Sequence, residues 1–446
     1  METANQSKQE SIKEIRPISH PLQASLRVPG SKSLTNRALL ISALAEGTTV
    51  LTNALFSDDS QYFAGALQRL GFDVILDPVH AEMKVTGLGG IIPAGEAELY
   101  IGNAGTAARF LTAFLTLGNG IYILDGEARM RERPISDLII ALESLGASIT
   151  NSFSHSDMQR SSVDSLTFHL PIKIFASGLP GGRVEIAGNI SSQFLSGLLM
   201  VGPYARKPVE LLVTTELNSK PYIVMTLDIM SDFGVEVTHH GFERFIIRPG
   251  EYQSRSSYAI ESDASAASYF FAAPAILGGK VRVENISRRS KQGDIAFLNI
   301  LEQMGCAVLD TNDFVEVTGP ASLHGVDVDM RDISDTAQTL AAIAPFADSP
   351  THISGIGFIR AKESNRISDT CMELRRLGVE VQEHSDGLTI QPCKEMKPAI
   401  INTYNDHRMA MAFSLIGLRT PGIRIENPAC VSKTFPDFFK VLETLQ

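Results

Sequence analysis

The 446-residue sequence contains no tryptophan and only four cysteines. Cys306, Cys371, Cys393 and Cys430 form no C-x-x-C pair, which removes support for a zinc ribbon or a dithiol redox site. So few cysteines in so long a chain fit a reducing compartment. No apolar run is long enough to span a bilayer. The stretch Met1 to Glu14 has neither an apolar signal core nor an Arg-rich amphipathic pattern. A cytoplasmic protein is therefore expected, with a frayed tail over about the first dozen residues. Positive charge is also in the minority. Lys and Arg number 39 against 50 Asp and Glu, a net charge of −11. That balance disfavours nucleic acid or an anionic membrane as the main partner. A small anionic ligand in a local basic site stays compatible with it. Rossmann and Walker A fingerprints and metal-ligand clusters are all missing, so neither a cofactor nor a metal is expected.

What is present is ordinary globular composition, 44% apolar and 20% charged, in a chain long enough for two domains. Its order lies in a repeat. Polar or glycine-containing caps leading into small-residue apolar helices begin near Ser31, Gly105, Ser191, Ser262, Ser334 and Asn405, at intervals of 74, 86, 71, 72 and 71 residues. The spacing predicts helices over Ser33–Glu46, Thr106–Leu117, Ser192–Val201, Ala264–Leu277, Asp335–Phe346 and Asp406–Leu418. A second series agrees. Gly71, Gly146, Gly234, Gly305 and Gly378 each follow a hydrophobic residue where a helix C-cap needs a left-handed residue. The long interval falls on the Ser-rich stretch 151–164, expected to be a surface insertion.

Each unit reads cap and helix, strand, helix, strand, strand. A period of about 72 residues exceeds that of common solenoids and suits a small α/β subdomain. The sixth unit ends at its second helix, 435–445, without closing strands. The simplest closure lets residues up to about 28 supply them. Residues 1–29 with 261–446 then form a discontinuous domain and 30–260 the other, with crossings near 29–31 and 258–262 acting as hinges.

Helix N-termini favour anions through free N–H groups and the dipole, and the residues there are unusual. Pro29-Gly30-Ser31-Lys32-Ser33 opens the first helix, with Ser31 or Ser33 as its cap. Ser33 and Arg37 stand four apart on one face. Gly102-Asn103-Ala104-Gly105-Thr106 opens the second, followed by Arg109 and by the loop Arg129-Met130-Arg131-Glu132-Arg133-Pro134. Taken alone, that loop would be a self-paired solvated face. Ser191-Ser192-Gln193 opens the third, with Ser219-Lys220-Pro221-Tyr222 beyond it. Asp335, Lys362-Glu363 and Arg366 mark the fifth unit. Asn405-Asp406-His407-Arg408 and Ser432-Lys433-Thr434 mark the sixth. A basic cluster in an acidic protein implies a polyanionic ligand, and Asp335 and Glu363 are carboxylates available for proton transfer.

These motifs occur in order from about residue 29 to 439 and together resemble the 5-enolpyruvylshikimate-3-phosphate synthase family. The resemblance implies a two-domain enolpyruvyl-transferase fold of α/β type (six βαβαββ units, three per domain, an inside-out barrel). It implies a cleft that closes on substrate, small-molecule substrates and a monomer. It also implies the reaction, the sixth step of the shikimate pathway toward chorismate. Shikimate 3-phosphate and phosphoenolpyruvate give an enolpyruvyl ether and phosphate. By the same resemblance, Lys32, Ser33, Arg37, Ser191, Ser192, Gln193, Ser219, Asp335 and Lys362 bind shikimate 3-phosphate. Lys32, Asn103, Gly105, Thr106, Arg129, Gln193, Arg366, His407, Arg408 and Lys433 bind phosphoenolpyruvate. Asp335 is expected to be the base at the 5-hydroxyl and Glu363 the acid at C3, with Lys32 and Lys433 assisting. Three positions depart from the family pattern. Phe358 and Asn365 replace a common Asn and Asp, and Phe110 replaces a common Pro. Gly105 matches the type that glyphosate inhibits.

Two other readings compete. UDP-N-acetylglucosamine enolpyruvyl transferases share the fold but usually carry a cysteine in the mobile loop, and 125–134 has none. A non-catalytic phosphate-binding scaffold would not need Asp335 and Glu363 beside the anion ligands.

Overall fold

The computed structural model describes residues 12–152 and 167–446. Most of the expected insertion at 151–164 and most of the expected N-terminal tail lie outside the described residues. The chain divides into two compact units, one of residues up to Val28 with Asp263–Gln446, the other Pro29–Ser262, each with its own hydrophobic core.

Both units are built from one motif. Strand Glu96–Tyr100 runs parallel to Asn119–Asp125, reached through the buried helix Gly105–Leu115. A helical crossover is what a parallel pair requires. After the helix Ser136–Ser144 the chain returns as Ser148–Asn151 and Ile172–Ser177, and the latter pairs antiparallel with Asn119–Asp125. The same strand order recurs in the sheets containing Val209–Val213 and Thr351–Ser354. Strands such as Glu82–Leu88 alternate buried and accessible residues, as expected of a sheet with one face on the core. The five C-cap glycines all take positive φ, from 86° to 102°.

The helices that open the repeats are buried nearly all round, so each is a core element rather than an amphipathic surface one. In the Pro29–Ser262 unit, Gly105–Leu115 packs on both Ser192–Val201 and Lys32–Leu44. A Cβ on Gly197 would come within 3.4 Å of the Arg109 carbonyl, which shows how closely the helices approach. In the other unit, Ala264–Leu277, Ala337–Ile343 and His407–Arg419 pack on one another. Helices inside and sheets outside hold the six helix starts in two groups of three.

Closure of the repeats differs from expectation. Of the described residues up to Val28, only Ile12–Glu14 joins the sixth sheet, antiparallel to Arg424–Glu426. Leu22–Arg27 pairs instead with Gly279–Glu284, the strand that follows the helix Ala264–Leu277. Conversely Tyr258–Ala259, just before Ala264–Leu277 in the chain, pairs with Glu46–Thr52, which follows the helix Lys32–Leu44. Each segment that leads to a crossing thus adds a strand to its own unit before the chain leaves it. Residues up to Val28 close two sheets rather than one.

Helix starts also differ in detail. Ser31, rather than Ser33, caps Lys32–Leu44, accepting from Leu34 N. Gly105–Leu115 has no side-chain cap, and Asp263 and Asp406 cap their helices. The helix expected over Asp335–Phe346 is a 3-10 turn Ser334–Thr336, the α-helix Ala337–Ile343 and a second 3-10 turn.

Candidate active site

The candidate residues divide between the units. In Pro29–Ser262 they are Lys32, Ser33, Arg37, Asn103, Gly105, Thr106, Arg129, Ser191, Ser192, Gln193 and Ser219. In the other they are Asp335, Lys362, Glu363, Arg366, His407, Arg408 and Lys433.

The first group centres on Arg37, which is 2% exposed. Its Nε donates to Thr226 Oγ1 at 2.8 Å and its Nη2 to Ser196 Oγ and the Tyr222 carbonyl, both at 3.2 Å. Nη1 donates to the Ser33 carbonyl at 3.1 Å. The guanidinium lies 5.3 Å from the Phe110 ring centroid and 6.0 Å from that of Tyr222. Among the described residues no carboxylate forms an ion pair with it. Burial lowers its pKa to about 10, partly opposed by Tyr222. Hydroxyls and carbonyls fix its orientation, and no carboxylate among the described residues neutralises it.

Around it, Gln193 Nε2 donates to Thr106 Oγ1 at 3.2 Å, joining the second and third helix starts. Ser191 caps the third helix by accepting from Gln193 N. Ser219 takes left-handed φ of 58° at the start of Lys220–Asp232, a conformation unusual for a residue with a Cβ. Lys32 Nζ is 3.5 Å from the buried Asp59. The arginine-rich loop separates. Arg129 pairs with Glu132 and Arg131 with Asp125, at 2.9 and 2.6 Å. Arg133 turns inward and donates to the carbonyl and side chain of Asn103, both at 3.1 Å. The guanidinium occupies the space a Cβ on Gly105 would need.

The second group centres on Arg366, 2% exposed. Its Nε meets Asp406 Oδ2 at 2.8 Å, Nη2 meets Glu363 Oε2 at 2.8 Å, and Nη1 meets Asp335 Oδ1 at 3.1 Å. Arg408 Nη2 takes the other Asp335 oxygen at 2.7 Å, and Lys433 Nζ is 3.9 Å from Glu363 Oε1. Burial alone would lower the Arg366 pKa, but the three carboxylates outweigh it and the pKa is raised. Tyr269 lies 3.5 Å from Arg408 Nη1, with its phenol pushed up to about 12 by burial. His407 is fully buried with Nδ1 3.3 Å from Asp406.

The departures have local explanations. Asn365 still caps Arg366–Arg376, accepting from Ser368 N, and also receives Arg360. Phe110 is the aromatic face beneath Arg37. Phe358 lies 5.9 Å from Lys362 Nζ. Asp59, Thr226 and Ser196 carried no sequence signal as parts of these sites. Asp406 and Arg133 stood inside the motifs at the helix starts and in the arginine-rich loop without an assigned role, and Phe110 was marked only as a departure from the family pattern. Among the described residues no cluster of three or more His, Cys, Asp or Glu is arranged for a metal, and no helix is long and apolar enough to cross a membrane.

The fold is that of the enolpyruvyl transferases. It matches EPSP synthase from Acinetobacter baumannii with a TM-score of 0.79 at 25% identity, over 97% of this chain and 98% of that one. It also matches the enolpyruvyl transferase NikO from Streptomyces tendae, with a TM-score of 0.75 at 17% identity over 97% of each chain. The second likeness speaks for the fold alone. The family is narrower than the fold. A model of EPSP synthase (3-phosphoshikimate 1-carboxyvinyltransferase) matches residues 17–442. A 3-phosphoshikimate 1-carboxyvinyltransferase of Nostoc punctiforme is 49% identical over 96% of this chain and 97% of its own. The chain belongs to the EPSP synthase family.

Proposed function

We propose that the chain transfers the enolpyruvyl group of phosphoenolpyruvate to the 5-hydroxyl of shikimate 3-phosphate, with different tasks for the residues of its two units. Family membership supports the reaction, and Arg37 is the observation that carries the assignment of residues. A buried guanidinium with no carboxylate partner is costly, and a substrate carboxylate offsets that cost with paired, charge-assisted hydrogen bonds. We assign Arg37 and Ser33 to the shikimate carboxylate and Ser191, Ser192, Ser219 and Lys362 to its phosphate. Gln193 lies between the substrates. Lys32, Asn103, Gly105, Thr106, Arg129, Arg366, His407, Arg408 and Lys433 serve phosphoenolpyruvate.

In the addition, the 5-oxygen bonds to C2 while its proton passes to Asp335, and C3 gains a proton from Glu363. In the elimination, the C2–O bond to phosphate breaks as the new methyl returns that proton. Lys32 and Lys433 offset charge on the leaving phosphate. The two arginines beside Asp335 favour its ionised form, ready to accept. Glu363 needs a proton to act as acid. Phosphoenolpyruvate supplies the cause, because its negative charges draw on Arg366, Arg408 and Lys433 and leave less positive charge for Glu363.

UDP-N-acetylglucosamine transfer and a non-catalytic scaffold are not favoured by the family match. Phosphate release from phosphoenolpyruvate tests all three readings. Release with shikimate 3-phosphate alone is expected. Release only with UDP-N-acetylglucosamine, or with neither acceptor, would overturn the proposal. Full turnover by Asp335→Ala or Glu363→Ala would overturn the proton-transfer roles.

A further inference from the structure

Asp294 is a buried acid that none of these steps uses. It lies on the 3-10 turn Gly293–Ala296 and is 3% exposed. That turn packs on the turn Ser334–Thr336, which carries Asp335, and both pack on the helix Ala264–Leu277. Gln292 Oε1 accepts from Ala264 N at 3.0 Å and ties the turn to the helix start. The Ser265 hydroxyl donates to Asp294 Oδ2. The charged groups facing Asp294 are Asp335, Arg408 from the helix His407–Arg419, and Asp263 at the cap of Ala264–Leu277. Burial first, then Asp335, raises its carboxyl to about 7, so it exchanges its proton near neutrality.

We propose that Asp294 is a positioning residue for the base: its ionised carboxylate, buried beside Asp335, opposes the two arginines and raises the proton affinity of Asp335. The inference rests on Asp335 being the base. Arg366 and Arg408 favour the ionised form of Asp335 but make it a poor proton acceptor. A like charge nearby, in a site of low dielectric, offsets part of that effect. Asp294 exchanges no atom with substrate. The proton of the 5-hydroxyl still goes to Asp335.

The test is the pH profile of Asp294→Asn in the full-length protein, with both substrates. At about pH 6, where Asp294 holds its proton, kcat should match the wild type within about twofold. At about pH 8.5 it should fall by about threefold to tenfold, since a base weaker by about one unit slows proton transfer by at most tenfold, with both KM values unchanged. An equal fall at every pH, or no fall at about pH 8.5, would overturn the inference. Ser265→Ala is the second variant, should Asp294→Asn fail to fold. Loss of the hydroxyl donor should move the inflection to higher pH, and an unmoved profile counts against the idea. Asp335→Asn separates the two claims. If it keeps full turnover, the base assignment falls. If it is inactive while Asp294→Asn shows no pH-dependent loss, only the role of Asp294 falls.

Discussion

Arg366 and Asp406 form a buried ion pair, Nε to Oδ2 at 2.8 Å, and the same Asp406 caps the helix His407–Arg419 by accepting from Arg408 N. One carboxylate therefore fixes both the central cation and the start of the helix that carries Arg408.

Asp406→Ala should be among the most destabilising single changes in this unit. It leaves a buried guanidinium short of one partner and removes a cap. A loss of about 3–5 kcal/mol is expected, read as a lower midpoint in urea. An unchanged midpoint would show that the pair contributes little.

Arg37→Lys should raise KM for shikimate 3-phosphate at least tenfold, with a smaller effect on phosphoenolpyruvate. Lysine cannot reproduce a planar fork held by Thr226, Ser196 and the Tyr222 carbonyl. Equal effects on both KM values would argue against the carboxylate assignment.

Gly105→Ala should displace Arg133. A Cβ there would lie 2.8 Å from Arg133 Nη1, so the guanidinium must leave Asn103. KM for phosphoenolpyruvate should rise while the fold is retained. Steady-state kinetics with Arg133→Ala as a companion checks the cause, because the second change frees the space.

Stability should depend on pH through Asp294. Its carboxyl is raised from 3.8 to about 7 in the folded chain, so the folded state binds more protons than the unfolded one in between. This group's contribution therefore favours folding at low pH and is lost as pH rises through that window. The cost is on the order of 4 kcal/mol once it is fully ionised. The melting temperature of Asp294→Asn relative to wild type should rise between about pH 5 and pH 8. A constant difference would contradict the assignment.

Thiol labelling should distinguish the cysteines. Burial pushes Cys306 and Cys430 up to about 12 and Cys371 to about 11, while Cys393 is half-buried. A thiol reagent at about pH 8 should modify Cys393 first, and the other three only on unfolding. Rapid labelling of all four in the native protein would show that the cores open readily.

Much of the fold was legible because helix caps and C-cap glycines are local. Ser192–Val201 and Ala264–Leu277 have the bounds their patterns predict, since apolar runs and flanking turn residues mark both ends. Tyr258–Ala259 was not legible. Two residues carry no strand period, and their partner lies some 200 positions away. The split of the helix over Ser334–Phe346 was half hidden: Pro345 stands in the second 3-10 turn and can be read from the sequence, whereas no such residue stands in the first, Ser334–Thr336.

The candidate site divides in the same way. The order of caps, the glycines and the Lys, Arg, Asp and Glu beside them determined the repeat and which residues could meet anions, because those signals depend on spacing along one helix. The sequence could not decide that Arg37 would be held by Thr226 and Ser196 without a carboxylate, that Asp406 would anchor Arg366, or that Asp294 would be buried facing Asp335. Those outcomes depend on helices far apart in the chain packing together, where removal of water turns a spaced charge into one that must find a partner.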